Sequence, residues 1–435
     1  MANSRAGALS ALVFALAFGV LLVGRVYSGA GDTLPAELLP WALLHNGGPD
    51  YREIVIPDYA RYAFRNVKGR VVSVYPIVAG ILHVPVAGAA AFLGHDTVER
   101  RIGLARRSAA WIAAAATAFF FLALDACVRR RTALLFSAVF LLGTEVFSLV
   151  GRGLWQHGPA LLFINLALAL LVRPRLVPWS GFPLALAVCA RPTVALLAVT
   201  VAGWVAWKRR DALPAFLAGA AVPAAALVTY SARWLGNPLA MGQLQLLNST
   251  YFGRFSVEAL LGLLASPSRG LLVYSPVFLL AVLPARQTAG DAPPAELVGA
   301  LTLFVPSLLV LASCWPNWWG GHSFGYRILS ELIPVLLLRA ALAWDRRPCP
   351  QTSSTRPAGC SSDSPSPCTR SGPTGRAAST SGPTTSTRTR PDSGTSTTPI
   401  SSGCCGPRPS RRGTTRPLPG GPYVRDPGRR RAGRA

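Results

Sequence analysis

The chain has 435 residues, of which 51% are hydrophobic and only 14% are charged. This composition excludes an ordinary soluble globular protein, because such proteins carry more charge on the surface that faces water. The net charge of +25 would suit nucleic-acid binding, but basic clusters lie at the ends of apolar segments, as in the cytoplasmic loops of membrane proteins. We therefore expect contact with anionic membrane lipids and no nucleic-acid partner. The clusters are RRIGLARR (100–107), RRR (129–131), RPR (173–175) and KRR (208–210).

Apolar segments recur along most of the chain, from Gly7 to Trp344. A helix needs roughly 20 mostly apolar residues to cross a bilayer, so we predict an all-α, polytopic membrane protein with about ten or eleven transmembrane helices. The longest segment is long enough to be two short helices that are broken at ARPT (190–193). The predicted segments are 7–28, 72–94, 108–128, 132–150, 158–172, 178–207, 212–232, 270–284, 296–314 and 328–344.

The first apolar segment sets the predicted topology. It is too long for the core of a signal peptide, so we interpret it as an uncleaved anchor with a cytoplasmic N-terminus. The loop 28–71 then lies outside. If the basic cluster 208–210 is a cytoplasmic anchor, the stretch 233–270 lies outside and 285–295 lies inside. The clusters 100–107 and 129–131 cannot both be cytoplasmic if one helix crosses between them, so either one cluster is external or a segment is re-entrant.

The composition changes abruptly after Arg346 and divides the chain into a membrane domain (1–346) and a tail (347–435). The tail is rich in Pro, Ser, Thr and Arg and has almost nothing to form a core, so we expect it to be disordered. Two origins stay open for it, a natural tail or the product of a shifted reading frame in GC-rich coding DNA. We assign it no function.

Polar and charged residues stand beside Gly or Pro at the ends of several apolar segments on the predicted outer side. This pattern suits backbone that bends around a ligand at the membrane surface. The stretches are SGAGDTLPAELLPWALLHNGG (28–48), VSVYPIVAGILHVPV (72–86), LWQHGPALL (154–162), SPSRGLLVYSP (266–276) and WWGGHSFGYR (318–327).

On these stretches the chain resembles membrane glycosyltransferases of the GT-C fold, over roughly residues 7–345. The nearest subgroup is the bacterial one that is similar to dolichyl-phosphate-mannose protein mannosyltransferases and aminoarabinose transferases. The resemblance implies an active site at the outer face of the bacterial cytoplasmic membrane. It also implies a polyprenyl-phosphate-linked sugar as donor, a lipid, glycan or protein of the envelope as acceptor, and inversion at the transferred carbon. No further cofactor is implied, and a divalent metal is left open.

The resemblance maps the key acid of the family onto Asp32, in the sequence GDT. Members often have two adjacent acids there, so whether Asp32 acts alone or with Glu37 stays open. A carboxylate can remove the proton of the acceptor, and arginine forks bind phosphate. We therefore expect Asp32 to be catalytic and the following residues to bind the donor: Tyr75, His157, Arg191, Arg269, His322 and Arg327. No metal ligands are assigned.

Other interpretations of the same residues exist. Asp32 could cap a helix, the tryptophans of WWGGHSFGYR could form an interfacial aromatic belt, and Arg327 could extend to lipid headgroups. A multi-pass transporter or flippase of lipids or sugars would also bury charge, although it would usually show broken helices in two corresponding halves. We find no internal repeat in this sequence, so the transporter is the alternative hypothesis.

Overall fold

The computed structural model describes residues 2–23, 30–94, 98–238, 253–284, 295–321 and 323–345. Two sequence predictions, the tail 347–435 and the donor-binding role of His322, lie outside these residues. The structure is mostly helical, in agreement with the prediction of an all-α membrane protein. The α-helices are α1 (Ala2–Leu22), α2 (Leu34–Asn46), α3 (Val78–Phe92), α4 (Val98–Asp125), α5 (Arg130–Leu142), α6 (His157–Leu171), α7 (Gly181–Ala190), α8 (Ala195–Lys208), α9 (Leu213–Tyr230), α10 (Val257–Ala265), α11 (Leu271–Tyr274), α12 (Ala295–Ser313) and α13 (Ile333–Trp344).

Among the described residues, four helices are long and apolar enough to cross a membrane by length and composition. Three of them, in α1, α9 and α12, expose large apolar side chains such as Leu16, Val222 and Leu303. Such surfaces would be unfavourable in water and suit contact with lipid chains. The four segments are Arg5–Leu22, Arg101–Asp125, Leu213–Leu235 and Ala295–Ser313, and shorter apolar helices are Val78–Phe92, His157–Leu171 and Pro192–Lys208.

Helix α4 lies at the centre of the bundle and packs against α1, α5 and α6. Its buried face is rich in alanine, which allows neighbouring backbones to approach closely. Helices α1 and α4 are antiparallel, because Ser10 Oγ donates to the carbonyl of Ala118 (3.2 Å) and Arg106 Nη2 donates to that of Leu22 (3.0 Å). The end of α1 and the start of α4 therefore share one end of the bundle.

This arrangement bears on the two basic clusters that the topology could not reconcile. Helix α4 is continuous, so the clusters 100–107 and 129–131 lie at opposite ends. Arg106 donates to carbonyls at the end of α1, whereas Arg129 pairs with Asp345 at the end of α13 (2.6 Å). With a cytoplasmic N-terminus, as predicted, the cluster 100–107 is the external one, and its Arg106 is buried as a helix cap.

Several predicted helical segments hold shorter helices than expected. The segment 132–150 holds α5 and a separate π-helical turn (Val146–Val150), and 328–344 holds a 3₁₀ segment (Arg327–Leu332) before α13. The segment 72–94 begins as a strand, because β1 (Phe64–Val67) and β2 (Arg70–Ser73) form an antiparallel hairpin whose turn places Lys68 and Gly69 at positive φ. The helix starts only at Val78, after Pro76. The segment 270–284 contains the single turn α11, which ends before Pro276 because proline lacks the amide proton needed to continue an α-helix, and then a 3₁₀ stretch from Pro276 to Val282.

The predicted break in the segment 178–207 is confirmed. Helix α7 ends at Ala190 and α8 begins at Ala195. Arg191 between them has an extended backbone, with φ −152° and ψ 109°, as expected for a residue that precedes proline. The break brings the side chain of Arg191 into the core, where it is only 4% exposed.

Candidate functional site

The carboxylate of Asp32 contacts three side chains that are distant in sequence. Its Oδ1 accepts hydrogen bonds from the phenols of Tyr62 (2.5 Å) and Tyr75 (2.7 Å). Its Oδ2 pairs with Nη1 of Arg327 at 2.7 Å. Asp32 and Arg327 are both mostly buried, with 16% and 14% of their side chains exposed. The structure thus brings together three of the predicted site residues, Asp32, Tyr75 and Arg327.

Local structure in the first loop positions the two tyrosines. Tyr62 lies in a 3₁₀ segment (Asp58–Ala63) that leads into β1. Tyr75 follows β2, where its amide donates to Ser73 Oγ (2.9 Å). The hairpin reverses the chain between the two tyrosines, so both phenols reach the same oxygen. Tyr62 was not predicted from the sequence, since the strand alternation that forms the hairpin falls in a stretch that was interpreted as loop and helix.

Gly31 allows the phenol of Tyr62 to approach Asp32. A Cβ atom at position 31 would lie 2.6 Å from Tyr62 Oη and 2.9 Å from its Cε1, well inside van der Waals contact. A carboxylate at that position would therefore displace Tyr62 from Asp32. Oε1 of Glu37 accepts a hydrogen bond from the hydroxyl of Thr33 (2.7 Å), and whether Glu37 acts with Asp32 stays open.

The electrostatic surroundings keep Asp32 ionised. Burial acts to raise its pKa, but the charge of Arg327 and the hydrogen bonds from both phenols and the guanidinium outweigh burial, so the pKa lies below its ordinary value. Burial and the neighbouring carboxylate raise the pKa of Tyr62 and of Tyr75. Both phenols therefore stay protonated and act as donors, and Asp32 is a carboxylate at neutral pH.

Arg327 is held by two further groups. Its Nη2 donates to the carbonyl of Gly320 (2.5 Å), and its guanidinium carbon lies 4.7 Å from the ring centre of Trp155, within the range of a cation–π contact. Gly320 and Gly321 both have positive φ, at 73° and 72°, a conformation that glycine adopts without steric cost. Residues from three sequence stretches, GDT, LWQHGPALL and WWGGHSFGYR, therefore meet at the guanidinium of Arg327.

Arg269 lies in a different setting from the one predicted. Its Nη2 donates to the carbonyl of Gly321 (2.7 Å), and its Nη1 donates to the carbonyl of Ser323. These bonds tie the SPSRG loop to the segment that carries Arg327. In the structure Arg269 thus supports the backbone of the site, and its binding to a donor phosphate stays a prediction.

His157 and Arg191 form a buried group with Glu331. Arg191 Nε and His157 Nδ1 each lie 2.9 Å from Glu331 Oε1. Arg191 Nη1 also lies 2.9 Å from both ring nitrogens of His157. All three side chains are at most 5% exposed. The structure joins these two predicted donor-binding residues to each other and to an acid, and it does not place them against Asp32.

Two buried acids were missed in the sequence, Glu145 and Glu331. Glu145 is 2% exposed, and its Oε1 lies within hydrogen-bonding distance of Ser330 Oγ. The signal that could have identified both is an acid within an apolar segment, which is costly unless it is paired or functional. Within the part of the chain that the structure describes, no three His, Cys, Asp or Glu side chains form a group that could hold a metal ion.

The chain matches no protein-family model, no curated protein and no solved structure. The arrangement of its own residues is therefore the basis for a function. Asp32 and Arg327 form a carboxylate–guanidinium pair whose side chains are 16% and 14% exposed, and Arg191 and Glu331 form a second, buried pair.

Proposed function

We propose that this chain is a GT-C-type membrane glycosyltransferase with about ten or eleven transmembrane helices. It transfers a sugar from a polyprenyl-phosphate donor to an acceptor of the cell envelope, at the outer face of the bacterial cytoplasmic membrane. The observation that carries the proposal is the 2.7 Å pair of Asp32 and Arg327. It supplies a proton acceptor and a phosphate-binding group to one partly open site on an apolar, lipid-compatible protein.

The pair supports a direct displacement. The donor phosphate competes with Asp32 for Arg327, because guanidinium binds phosphate and carboxylate with the same fork of N–H groups. Asp32 is then free to take the proton of an acceptor hydroxyl as its oxygen attacks the anomeric carbon. The bond from that carbon to the phosphate oxygen breaks, and its electron pair leaves with the phosphate, whose charge Arg327 stabilises. Attack opposite the leaving group inverts the carbon.

The phenols of Tyr62 and Tyr75 direct this chemistry. Both donate to Oδ1 of Asp32, which orients the carboxylate and leaves Oδ2 on the side of Arg327. Once phosphate has taken Arg327, the main interaction that lowers the pKa of Asp32 is weakened. Donor binding therefore makes Asp32 a stronger base at the moment when the acceptor proton must be removed.

A specific observation favours a second candidate, a transporter or flippase of lipids or sugars. The apolar segment is interrupted at Arg191, between α7 and α8. The side chain of Arg191 contacts the buried side chains of His157 and Glu331. Broken helices with buried ionisable groups are typical of substrate and ion sites in secondary transporters. This candidate needs a path across the bundle, whereas the glycosyltransferase needs only the site at Asp32.

The experiment that separates the two candidates uses the full chain in proteoliposomes. Transfer of a labelled sugar from a polyprenyl-phosphate donor to extracted envelope acceptors is measured beside the movement of labelled donor across the bilayer. We expect transfer in the wild type and none in Asp32→Asn. Asp58→Asn is the matched control, because Asp58 is an exposed acid of the same loop, 86% exposed and paired with Arg61. Donor movement without transfer would contradict the glycosyltransferase and favour the transporter.

A further inference from the structure

Ser330 links a buried acid to the backbone of Arg327. Its hydroxyl lies 2.8 Å from the carbonyl oxygen of Arg327 and within hydrogen-bonding distance of Oε1 of Glu145. Both partners are acceptors if Glu145 is ionised, yet a serine hydroxyl has one proton to donate. If Glu145 carries a proton, it donates to Ser330 Oγ, and Ser330 donates to the carbonyl. Only the protonated form satisfies both contacts with one proton each.

The balance of charge around Glu145 leads to the same result. Arg327 pairs with Asp32, and Arg191 pairs with Glu331. His157 is neutral, because its ring nitrogens lie 2.9 Å from Arg191 Nη1 and a second cation there would be repelled. No basic side chain among the described residues forms an ion pair with Glu145.

A lone buried carboxylate would therefore be left without compensation, which is strongly unfavourable in an apolar interior. The other oxygen of Glu145, Oε2, has no hydrogen-bond partner in the described part of the chain. That oxygen faces Gly325, where a Cβ atom would lie 3.0 Å away. The other ionisable groups that act on Glu145 are Glu331, Arg327, Arg191 and the phenol of Tyr326.

We infer that Glu145 is held as a neutral carboxylic acid and serves as a positioning residue for Arg327. Its proton reaches Ser330, and Ser330 in turn fixes the carbonyl of Arg327, where the 3₁₀ segment Arg327–Leu332 begins. This chain of two hydrogen bonds holds the backbone from which the guanidinium extends to Asp32. The consequence for phosphate binding rests on the proposed function, whereas the protonation of Glu145 does not.

Infrared spectroscopy of the full chain in detergent tests the protonation directly. We expect a carbonyl stretch of a protonated carboxylic acid that is present in the wild type and lost in Glu145→Gln. In Ser330→Ala the same band should persist at a shifted frequency, because the acid has lost its acceptor. Asp50→Asn is the control and should remove no such band, since Asp50 is hydrogen bonded to Arg52 and its pKa lies below the ordinary value. A spectrum in which Glu145→Gln loses no protonated-acid band would overturn the inference.

Binding of a polyprenyl phosphate to the same variants tests the positioning role. The amide of Glu145→Gln can donate to Ser330 as the acid does, so affinity should stay within about twofold of the wild type. Glu145→Ala and Ser330→Ala should each bind up to about tenfold more weakly, and the double variant should lose no more than either one, because all three interrupt one chain.

Two outcomes of the binding experiment have different meanings. If Glu145→Gln binds as weakly as Glu145→Ala, the proton of Glu145 does not position Arg327 and the role is refuted. If the wild type binds no polyprenyl phosphate, the proposed function fails, and the infrared band still decides whether Glu145 is a neutral acid.

Discussion

Oδ2 of Asp32 and Nη1 of Arg327 lie 2.7 Å apart, although 295 positions separate the two residues in the chain. The pair joins the first loop of the protein to the segment before its last described helix. The charge of Arg327 helps to keep the pKa of Asp32 below its ordinary value, and in the proposed function a phosphate that binds Arg327 displaces Asp32. In the proposed function, Asp32 and Arg327 therefore contact each other before the donor binds. Afterwards Arg327 binds the phosphate and Asp32 accepts the proton.

Removal of Arg327 should weaken donor binding. Arg327→Ala loses a charged hydrogen bond to phosphate, for which we expect a loss of roughly 1.5–3 kcal/mol in binding free energy. Arg327→Lys should recover only part of it, because lysine lacks the planar fork and the stacking on Trp155. Titration with a polyprenyl phosphate measures the effect, and Arg61→Ala is the control because Arg61 is 67% exposed and pairs with Asp58. Unchanged affinity in Arg327→Ala would contradict the phosphate-binding role.

Tyr75→Phe should shift the acid limb of the pH–activity profile to higher pH. The hydrogen bond from Tyr75 helps to lower the pKa of Asp32, so its removal raises that pKa. Asp32 must be ionised to accept a proton, and activity is lost as pH falls through its pKa. The limb of kcat/KM therefore moves upward in the variant. Tyr59→Phe, at a tyrosine that is 60% exposed, should leave the limb in place. An identical limb in Tyr75→Phe would show that Asp32 is not the base.

Gly31→Ala should impair the site through Tyr62. The new methyl group would lie 2.6 Å from Tyr62 Oη, so the phenol must move away from Asp32. We expect lower transfer activity with the fold retained, and no additional loss when the change is made in a Tyr62→Ala background. Gly19→Ala is the control, because a Cβ there meets nothing within 4 Å and alanine favours a helix. If the losses of transfer activity add in the double variant, Gly31→Ala does not act through Tyr62.

Arg191→Ala should destabilise the membrane domain. It leaves Glu331 buried without its partner, and breaking such a pair costs about 3–5 kcal/mol of unfolding free energy. The double variant Arg191→Ala with Glu331→Gln should recover part of the loss, since no charge is then left alone. Unfolding in detergent measures the unfolding free energy of the single and the double variant. The control is Arg209→Ala, which removes a more exposed pair with Asp211 and should change that free energy little. If the single variant is as stable as the wild type, the pair has no structural role.

Local sequence patterns determined the class of the protein and the main helical segments. Hydropathy over windows of about 20 residues predicts helices that meet lipid, and Pro192 predicted the break between α7 and α8 because proline restricts the residue before it. The acid in the first loop and the arginine of WWGGHSFGYR were also visible, since charged residues at the ends of apolar segments are few. The hairpin β1–β2 was missed, because its strands are short and merge with the next apolar segment.

Only the tertiary structure decided which charges meet. Arg191 and His157 were expected at the donor, but packing joins them to Glu331, which lies 174 positions from His157, whereas Arg269 contacts backbone carbonyls. Nothing local in the sequence specifies these partners, because a buried charge is satisfied by whichever group the folded bundle brings within hydrogen-bonding distance. Hydropathy depends on neighbours along the chain and is therefore legible in the sequence, whereas the pairing of buried charges depends on neighbours in space.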